Sequence, residues 1–376
     1  MLSLYIHVPF CVRKCRYCGF YSTVYSSGNA DAFISGLKHE AEQYRNDFRR
    51  RLFTSIYIGG GTPTVLSPEQ FGLLVGTIRE HFAIDEGVEF TVEANPHTVT
   101  REKLSLMRSR GVNRLSLGVQ SFSDKVLQIL GRLHTAEQAA EAFRAARSAG
   151  FENIGVDLIY GIPGQTAAHW EEALDAAIAL KPEHVSAYSL SLDAGSQFMR
   201  ESEAGVFALP DEELCAAMYE RAVIKLNNAG YGRYEISNFS RPGYECRHNI
   251  NYWDRGEYLG LGPGAWSFLS GRRYANIADT MEYAQRASSG RTIIDDQELV
   301  GPGSSARETV LLSLRTTKGL DLSKFEQEFG PDLLRRLERN AVPLGVAGLL
   351  RVKEGRLTLT DRGILLSDEA LARLCV

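Results

Sequence analysis

From Leu4 to about Leu190 the chain repeats one pattern: a short apolar strand, a loop and an amphipathic helix, again and again through six strands. The strand candidates, residues 4–8, 55–58, 88–93, 114–119, 154–159 and 184–190, are rich in Val, Ile, Leu and Tyr and bounded by Gly, Pro or Asn. Helix candidates at 31–48, 68–81, 101–110, 136–149 and 168–180 lie between them. Ser67 stands where a cap belongs with Pro68 in the first turn, and Gly111 and Gly150 stand where helices end. Parallel neighbours need crossover connections, so strand–helix units in series dictate a parallel sheet. The predicted class is α/β, as an open or partial (β/α)6 barrel, with a doubly wound sheet as the alternative. In either, ligands gather at the C-terminal ends of the strands.

A further amphipathic helix at about 212–229 precedes Tyr234-Glu235-Ile236, and a Gly-rich run follows at 258–264. The polar stretch from there to about Ser305, with Ser288-Ser289-Gly290 and Gly301-Pro302-Gly303, is the best linker candidate. The remainder reads helix, helix, a hairpin at 349–352 and 357–359 around Glu354-Gly355, and a last helix, which suggests a small winged-helix-like domain. The expected divisions are 1–195, a partial barrel; 196–300, a barrel extension; and 301–376, the C-terminal domain.

Three of the six cysteines crowd into one loop after the first strand: Cys11-Val12-Arg13-Lys14-Cys15-Arg16-Tyr17-Cys18. Three thiolates in one C-x3-C-x2-C loop can hold three irons of a cubane [4Fe–4S] cluster and leave the fourth open. An open coordination position marks a reactive metal site, since structural sites close all four. Arg13, Lys14 and Arg16 would offset the cluster's charge and favour thiolates. A zinc site built from the same cysteines with His7 or His39 is the rival, although zinc loops usually bring a second Cys or His pair. Cys215 and Cys375 read as incidental.

Composition excludes several classes. The 376 residues carry a net charge of -4, with 44% hydrophobic and 23% charged, so nothing draws the chain toward nucleic acid. No apolar run approaches the roughly 18 residues of a membrane span, and Met1 to His7 do not read as a signal peptide. A cytoplasmic protein is expected.

Gly59-Gly60-Gly61-Thr62 follows the second strand, where glycines allow close backbone approach to a ligand; a plain tight turn is the simpler use. Glu93, Gln120, Arg132 and Asp157 fall at or just past strand ends. As a set they suit an amino acid joined to a ribose: Arg132 for a carboxylate, Glu93 for an ammonium or hydroxyl, and Gln120 and Asp157 for hydroxyls.

The cysteine loop, with an aromatic before its last Cys, resembles the radical S-adenosylmethionine (SAM) superfamily. In that superfamily SAM chelates the open iron through its amino and carboxylate groups, and reduction of the cluster cleaves the sulfonium to an adenosyl radical. The runs around Glu93, Gln120, Arg132 and Asp157 resemble the family related to oxygen-independent coproporphyrinogen III oxidase. That resemblance spans nearly the whole chain and adds Ala187 and Tyr188, on the sixth strand near the adenine. Where the oxidase branch has a fourth cysteine, this chain has Phe20. Cys246-Arg247-His248-Asn249-Ile250-Asn251-Tyr252-Trp253 resembles instead the HNxxYW element of HemW-type haem chaperones. From the residues alone, His248 and Trp253 more simply pack a loop under the barrel. The resemblance implies a haem site made of His248, Tyr252 and Trp253. Many relatives carry His where this chain has Trp266.

The resemblance implies a haem chaperone with [4Fe–4S] cluster, SAM and haem as cofactors. Its partners would be acceptor haem proteins of the respiratory chain, met transiently at the inner face of the membrane, and a homodimer is allowed. The rival function is an enzyme that oxidatively decarboxylates porphyrinogen propionates.

Overall fold

The computed structural model describes residues 1–374, so Cys375 lies outside the described residues. The predicted alternation is present: β1 (Leu2–Val8), α1 (Ser27–Phe48), β2 (Phe53–Gly60), α2 (Pro68–His81), β3 (Ile84–Ala94), α3 (Arg101–Ser109), β4 (Arg114–Gln120), α4 (Asp124–Leu130), α5 (Ala136–Ser148), β5 (Asn153–Tyr160), α6 (Ala167–Ala179) and β6 (His184–Ser189). The six strands lie side by side in sequence order, all parallel, as an open barrel.

Strand pleating sorts the side chains into two faces. Leu4, Ile6, Ile56, Ile58, Phe90, Val92, Leu115, Leu117, Ile154, Val156 and Val185 are buried against the helices. The alternate positions form the inner face and are polar: Tyr5 pairs in register with Tyr57, Tyr57 with Thr91, and Thr91 with Arg114; one step along, Glu93 pairs with Ser116 and Asp157 with Ser186. The helices are set by their ends. Ser67 and Gln70 form a capping box with Pro68 at the start of α2, as Thr135 and Gln138 do for α5.

After α7 (Glu212–Asn228), β7 (Asn238–Ser240) pairs antiparallel with β6. Then α8 (Arg247–Trp253) crosses under the barrel and β8 (Glu257–Leu261) adds a parallel neighbour to β1 on the far side. β9 (Trp266–Leu269), β10 (Arg272–Asn276) and β11 (Ile294–Leu299) extend that edge antiparallel, with α9 (Thr280–Ser288) packed on α1. The linker expectation is therefore corrected. The stretch to Ser305 is ordered sheet and helix, pinned by Glu40 of α1, which is buried and accepts hydrogen bonds from Gly262 N (2.8 Å), Asn276 Nδ2 (2.7 Å) and Tyr283 OH (2.5 Å).

Residues from Ala306 to Leu374 bury a separate core, with Leu314, Phe325, Leu337, Leu344 and Leu357 at its centre. It is built from α10 (Pro302–Leu314), α11 (Leu322–Phe329), α12 (Pro331–Val346) and the hairpin β12 (Leu350–Lys353) and β13 (Arg356–Leu359), the helices-plus-wing arrangement expected. Glu308 joins it to the barrel extension through Arg255 (3.1 Å) and Arg273 (2.8 Å). No helix among the described residues is long and apolar enough to cross a membrane.

Candidate functional site

A cleft of about 560 Å³ runs from the cysteine loop, at the C-terminal ends of the strands, down the polar inner face. Cys11, Cys15 and Cys18 all line it, partly exposed and free of disulfides. The loop holding them is clamped by backbone. Gly61 N donates to Val8 O (2.8 Å), Thr62 N donates to Phe10 O (2.7 Å) and Tyr25 N donates to Cys11 O (2.9 Å). A Cβ on Gly61 would come within 2.5 Å of Phe10 O, and Gly60 holds φ at +101°. The glycine run therefore has a reason beyond turning: it lets β2 lie flat against the strand that leads into the cysteines.

Of the loop's basic residues, Lys14 lines the cleft and its charge favours the Cys18 thiolate, while the two arginines are engaged elsewhere. Arg13 donates to Gly131 O (2.8 Å), and Arg16 pairs with Glu201. The groups that reach the sulfurs are Arg132, whose Nη1 lies 3.4 Å from Cys15 Sγ, and Thr62, whose Oγ1 lies 3.5 Å from Cys11 Sγ. Burial pushes the Cys18 thiol up to about 11. A cubane takes one thiolate per iron, so its cysteines need not converge on a point as ligands of one ion do. No group of three His, Cys, Asp or Glu converges that way among the described residues. His7 is also committed, donating from Nε2 to Tyr21 O (2.9 Å) and contacting Tyr5 OH through Nδ1 (3.1 Å). The zinc reading has no fourth ligand there.

Below the cysteines most of the polar set lies together. Gly60, Gly61, Thr62, Glu93, Gln120, Arg132, Asp157 and Tyr188 line the same cleft. Glu93 accepts from Tyr57 OH (2.8 Å) and Gly60 N (3.2 Å), and burial still pushes its carboxyl up to about 7. Asp157 accepts from Ser116 Oγ (3.0 Å). Arg132 anchors one end on Gly118 O (2.6 Å) and leaves Nε buried without a partner. Gln120 is held at φ +67°, outside the range most residues adopt, which turns its side chain into the cleft mouth. This donor set fits a charged amino acid with a hydroxylated ring. Gly59 and Ala187 do not line it by side chain: a Cβ on Gly59 would strike Glu93, and Ala187 faces the helices, its N–H donating to Ser237 O (2.8 Å).

Tyr57, Arg114, Ser116, His184, Ser186 and Asn249 also line the cleft and were missed. Period-two counting would have found those on strands, back from Gln120 to Ser116 and Arg114, from Gly59 to Tyr57, and from Tyr188 to Ser186 and His184.

The HNxxYW element is the barrel's floor. Glu89 of β3 caps α8, accepting from Arg247 N and His248 N (3.0 Å each). His248 is 1% exposed; its Nδ1 contacts Ser55 Oγ (3.0 Å) and its Nε2 Tyr252 OH (3.0 Å), so both nitrogens are engaged. Burial, with the nearby Arg114 charge, pushes its pKa to about 3. Asn249 faces up into the cleft, while Trp253 turns away into a second cavity of about 410 Å³ with Ile250, Tyr234, Arg233 and Lys318. Phe20, 66% exposed, stands at the mouth of the first.

The model of the Radical SAM superfamily matches residues 5–177, and that of the HemN C-terminal domain residues 304–366. Heme chaperone HemW of Lactococcus lactis is 37% identical over 371 residues, covering 99% of this chain and 96% of that one. Heme chaperone HemW of Bacillus subtilis is 36% identical over 370 residues, covering 98% of each. Among solved structures, coproporphyrinogen III oxidase (HemN) from Escherichia coli superposes with a TM-score of 0.88 at 26% identity, covering 100% of this chain and 90% of that one.

Proposed function

Because the chain belongs to the HemW-type branch of the radical SAM superfamily, we propose that it is a haem chaperone, binding haem and a SAM-ligated [4Fe–4S] cluster and delivering the haem to membrane haem proteins. The observation that carries the cofactor half is the single cleft that gathers the three cysteines with Arg132, Glu93, Gln120 and Asp157. Cys11, Cys15 and Cys18 would hold the cluster, which when bound offers one open iron to the amino and carboxylate groups of SAM. Gly59, Gly60, Gly61 and Thr62 would present main chain to the amino end, Arg132 its fork to the carboxylate, Glu93, Gln120 and Asp157 acceptors to the ammonium and ribose, and Tyr188 a wall to the adenine, with Ala187 contributing only as the backbone step before it.

For haem, the HNxxYW element supplies the contacts. Trp253 lines a cavity with Ile250 and Tyr234, two cations, Arg233 and Lys318, and two acids, Glu245 and Asp254; its aromatic wall suits a flat macrocycle, and the cations suit carboxylate arms. His248 would reach iron only after releasing Ser55 and Tyr252. In this reading residues 1–195 form the SAM barrel, 196–300 the extension carrying the haem element and 301–376 the closing module. The protein works in the cytoplasm, alone or as a homodimer, and meets its respiratory-chain acceptors at the membrane's inner face.

The test is a haem titration of the anaerobically reconstituted protein, followed by Soret absorbance, with Trp253→Ala and His248→Gln alongside. About one haem per chain, weakened in the Trp253 variant, supports the reading. A Soret position altered in His248→Gln would add His248 as ligand. Absence of saturable haem binding, with SAM-dependent decarboxylation of a porphyrinogen, would overturn it in favour of the oxidase activity.

A further inference from the structure

At the deep end of the cleft, one inner row below Glu93, lies the guanidinium of Arg114. It is 1% exposed, and its Nε and Nη1 have no hydrogen-bond partner. No carboxylate lies within ion-pair distance of it among the described residues. Of the carboxylates whose charge it feels, Glu89 spends both oxygens on the N-terminus of α8, and Glu93 and Asp157 line the cleft above. Beside Arg114, His184 holds Tyr234 OH through Nε2 (2.9 Å) and leaves Nδ1 buried without a partner. Ser186 and Asn249 complete that wall. A buried cation surrounded by idle polar atoms is costly unless something fills the place.

We propose that this deep end is a carboxylate subsite, taking the acid group of a slim aliphatic carboxylic acid that lies beneath SAM. One guanidinium fork matches one carboxylate, and the Asn249 amide adds a neutral donor. A dianion such as phosphate is disfavoured, because Glu93 and Asp157 line the same cleft just above. A tetrapyrrole is excluded by depth. Arg114 stands six residues before Gln120 on β4, about 20 Å along the strand, beyond the reach of a short propionate arm on a ring resting at the mouth. The subsite is therefore independent of the haem reading and stands if that reading fails.

The test uses hexanoate and its neutral isostere hexanamide on the cluster- and SAM-loaded protein, read as a concentration-dependent shift in Tm. The location is read from the anomalous bromine signal of crystals soaked in 6-bromohexanoate. The expected result is a saturable shift with hexanoate, none with hexanamide, and a bromine peak in the cleft with the acid on Arg114. Arg114→Gln should weaken the apparent affinity roughly tenfold to a hundredfold, the range for hydrogen bonds to a charged partner. Arg114→Lys should recover part of it. If Arg114→Gln does not fold, Asn249→Ala and the hexanoate–hexanamide pair on the wild type decide the matter. Equal shifts with both compounds, insensitivity to the Asn249 change, or density holding only waters between Arg114 and its acidic neighbours would overturn the proposal.

Discussion

Replacing His248 by glutamine should change how the protein's stability depends on pH more than any other single substitution in the floor of the barrel. The imidazole packs edge-on to Tyr252 at 4.8 Å between centroids and lies 5.0 Å from Tyr57, and each nitrogen has a partner. Its pKa, about 3 in the fold against 6.5 for an ordinary imidazole, is depressed first by burial and then by Arg114. A depressed folded pKa means the unfolded chain takes up the proton first. The contribution is thus fully present above about pH 6.5 and is lost as pH falls toward 3. Within that window each pH unit removes about 1.4 kcal/mol, so lowering the pH from 7 to 5 should remove about 2 kcal/mol through this one residue. Glutamine keeps a donor and an acceptor but does not titrate. At pH 7 the variant should be less stable by about 2–4 kcal/mol, from lost ring packing and imperfect hydrogen bonds. At pH 5 that gap should shrink by about 2 kcal/mol. Urea unfolding at pH 7, 6 and 5, followed by circular dichroism, measures both numbers. The double difference cancels the other histidines. A gap that stays constant across the series would refute a buried neutral His248.

Three further outcomes follow from the geometry. Glu40→Gln should compare best with wild type at pH 8, where the wild type buries a charge, and fall behind it in acid. The Glu40 carboxyl is raised by burial to about 7, so the wild type gains about 3 kcal/mol on going from above pH 7 to below 4.5, which chemical denaturation across that range would reveal or exclude. Gly61→Ala should shift the strand leading into the cysteines at a cost of about 1–3 kcal/mol and lower iron and acid-labile sulfide per chain while the far-UV spectrum stays native. Full cluster content would contradict it. Arg132→Ala should leave iron content nearly intact yet weaken SAM binding roughly tenfold to a hundredfold in equilibrium dialysis, and unchanged affinity would remove Arg132 from the carboxylate site.

The barrel was legible because its strands obey two simple periods at once: apolar residues toward the helices and helical stripes between strands. What hid was whatever broke the period. β8 shows in the sequence only as a Gly-rich run because Gly260 carries no side chain to mark the alternation; it is glycine because the backbone of Trp266 lies against it. β11, Ile-Asp-Asp-Gln-Glu-Leu, is an edge strand largely exposed to water, so no apolar face announces it. The cysteine loop and the polar strand-end set could be read from spacing alone, since they are near in sequence to the ends of elements. The role of His248 could not, because its partners Ser55 and Glu89 come from β2 and β3, far away in the chain. The simpler use, packing beneath the barrel, is what its contacts describe, and Trp253 rather than His248 faces open space.

The seven-residue helix α8 forms a wall of two chambers at once, Asn249 on the inner side and Trp253 on the outer. A single turn separates the two residues, so the helix cannot shift for one occupant without presenting a changed surface to the other. Thermodynamic reciprocity then applies: whatever factor a ligand in the inner chamber imposes on affinity in the outer, the outer ligand imposes on the inner. Glu89, which ties the helix to β3, sets how stiff that coupling is.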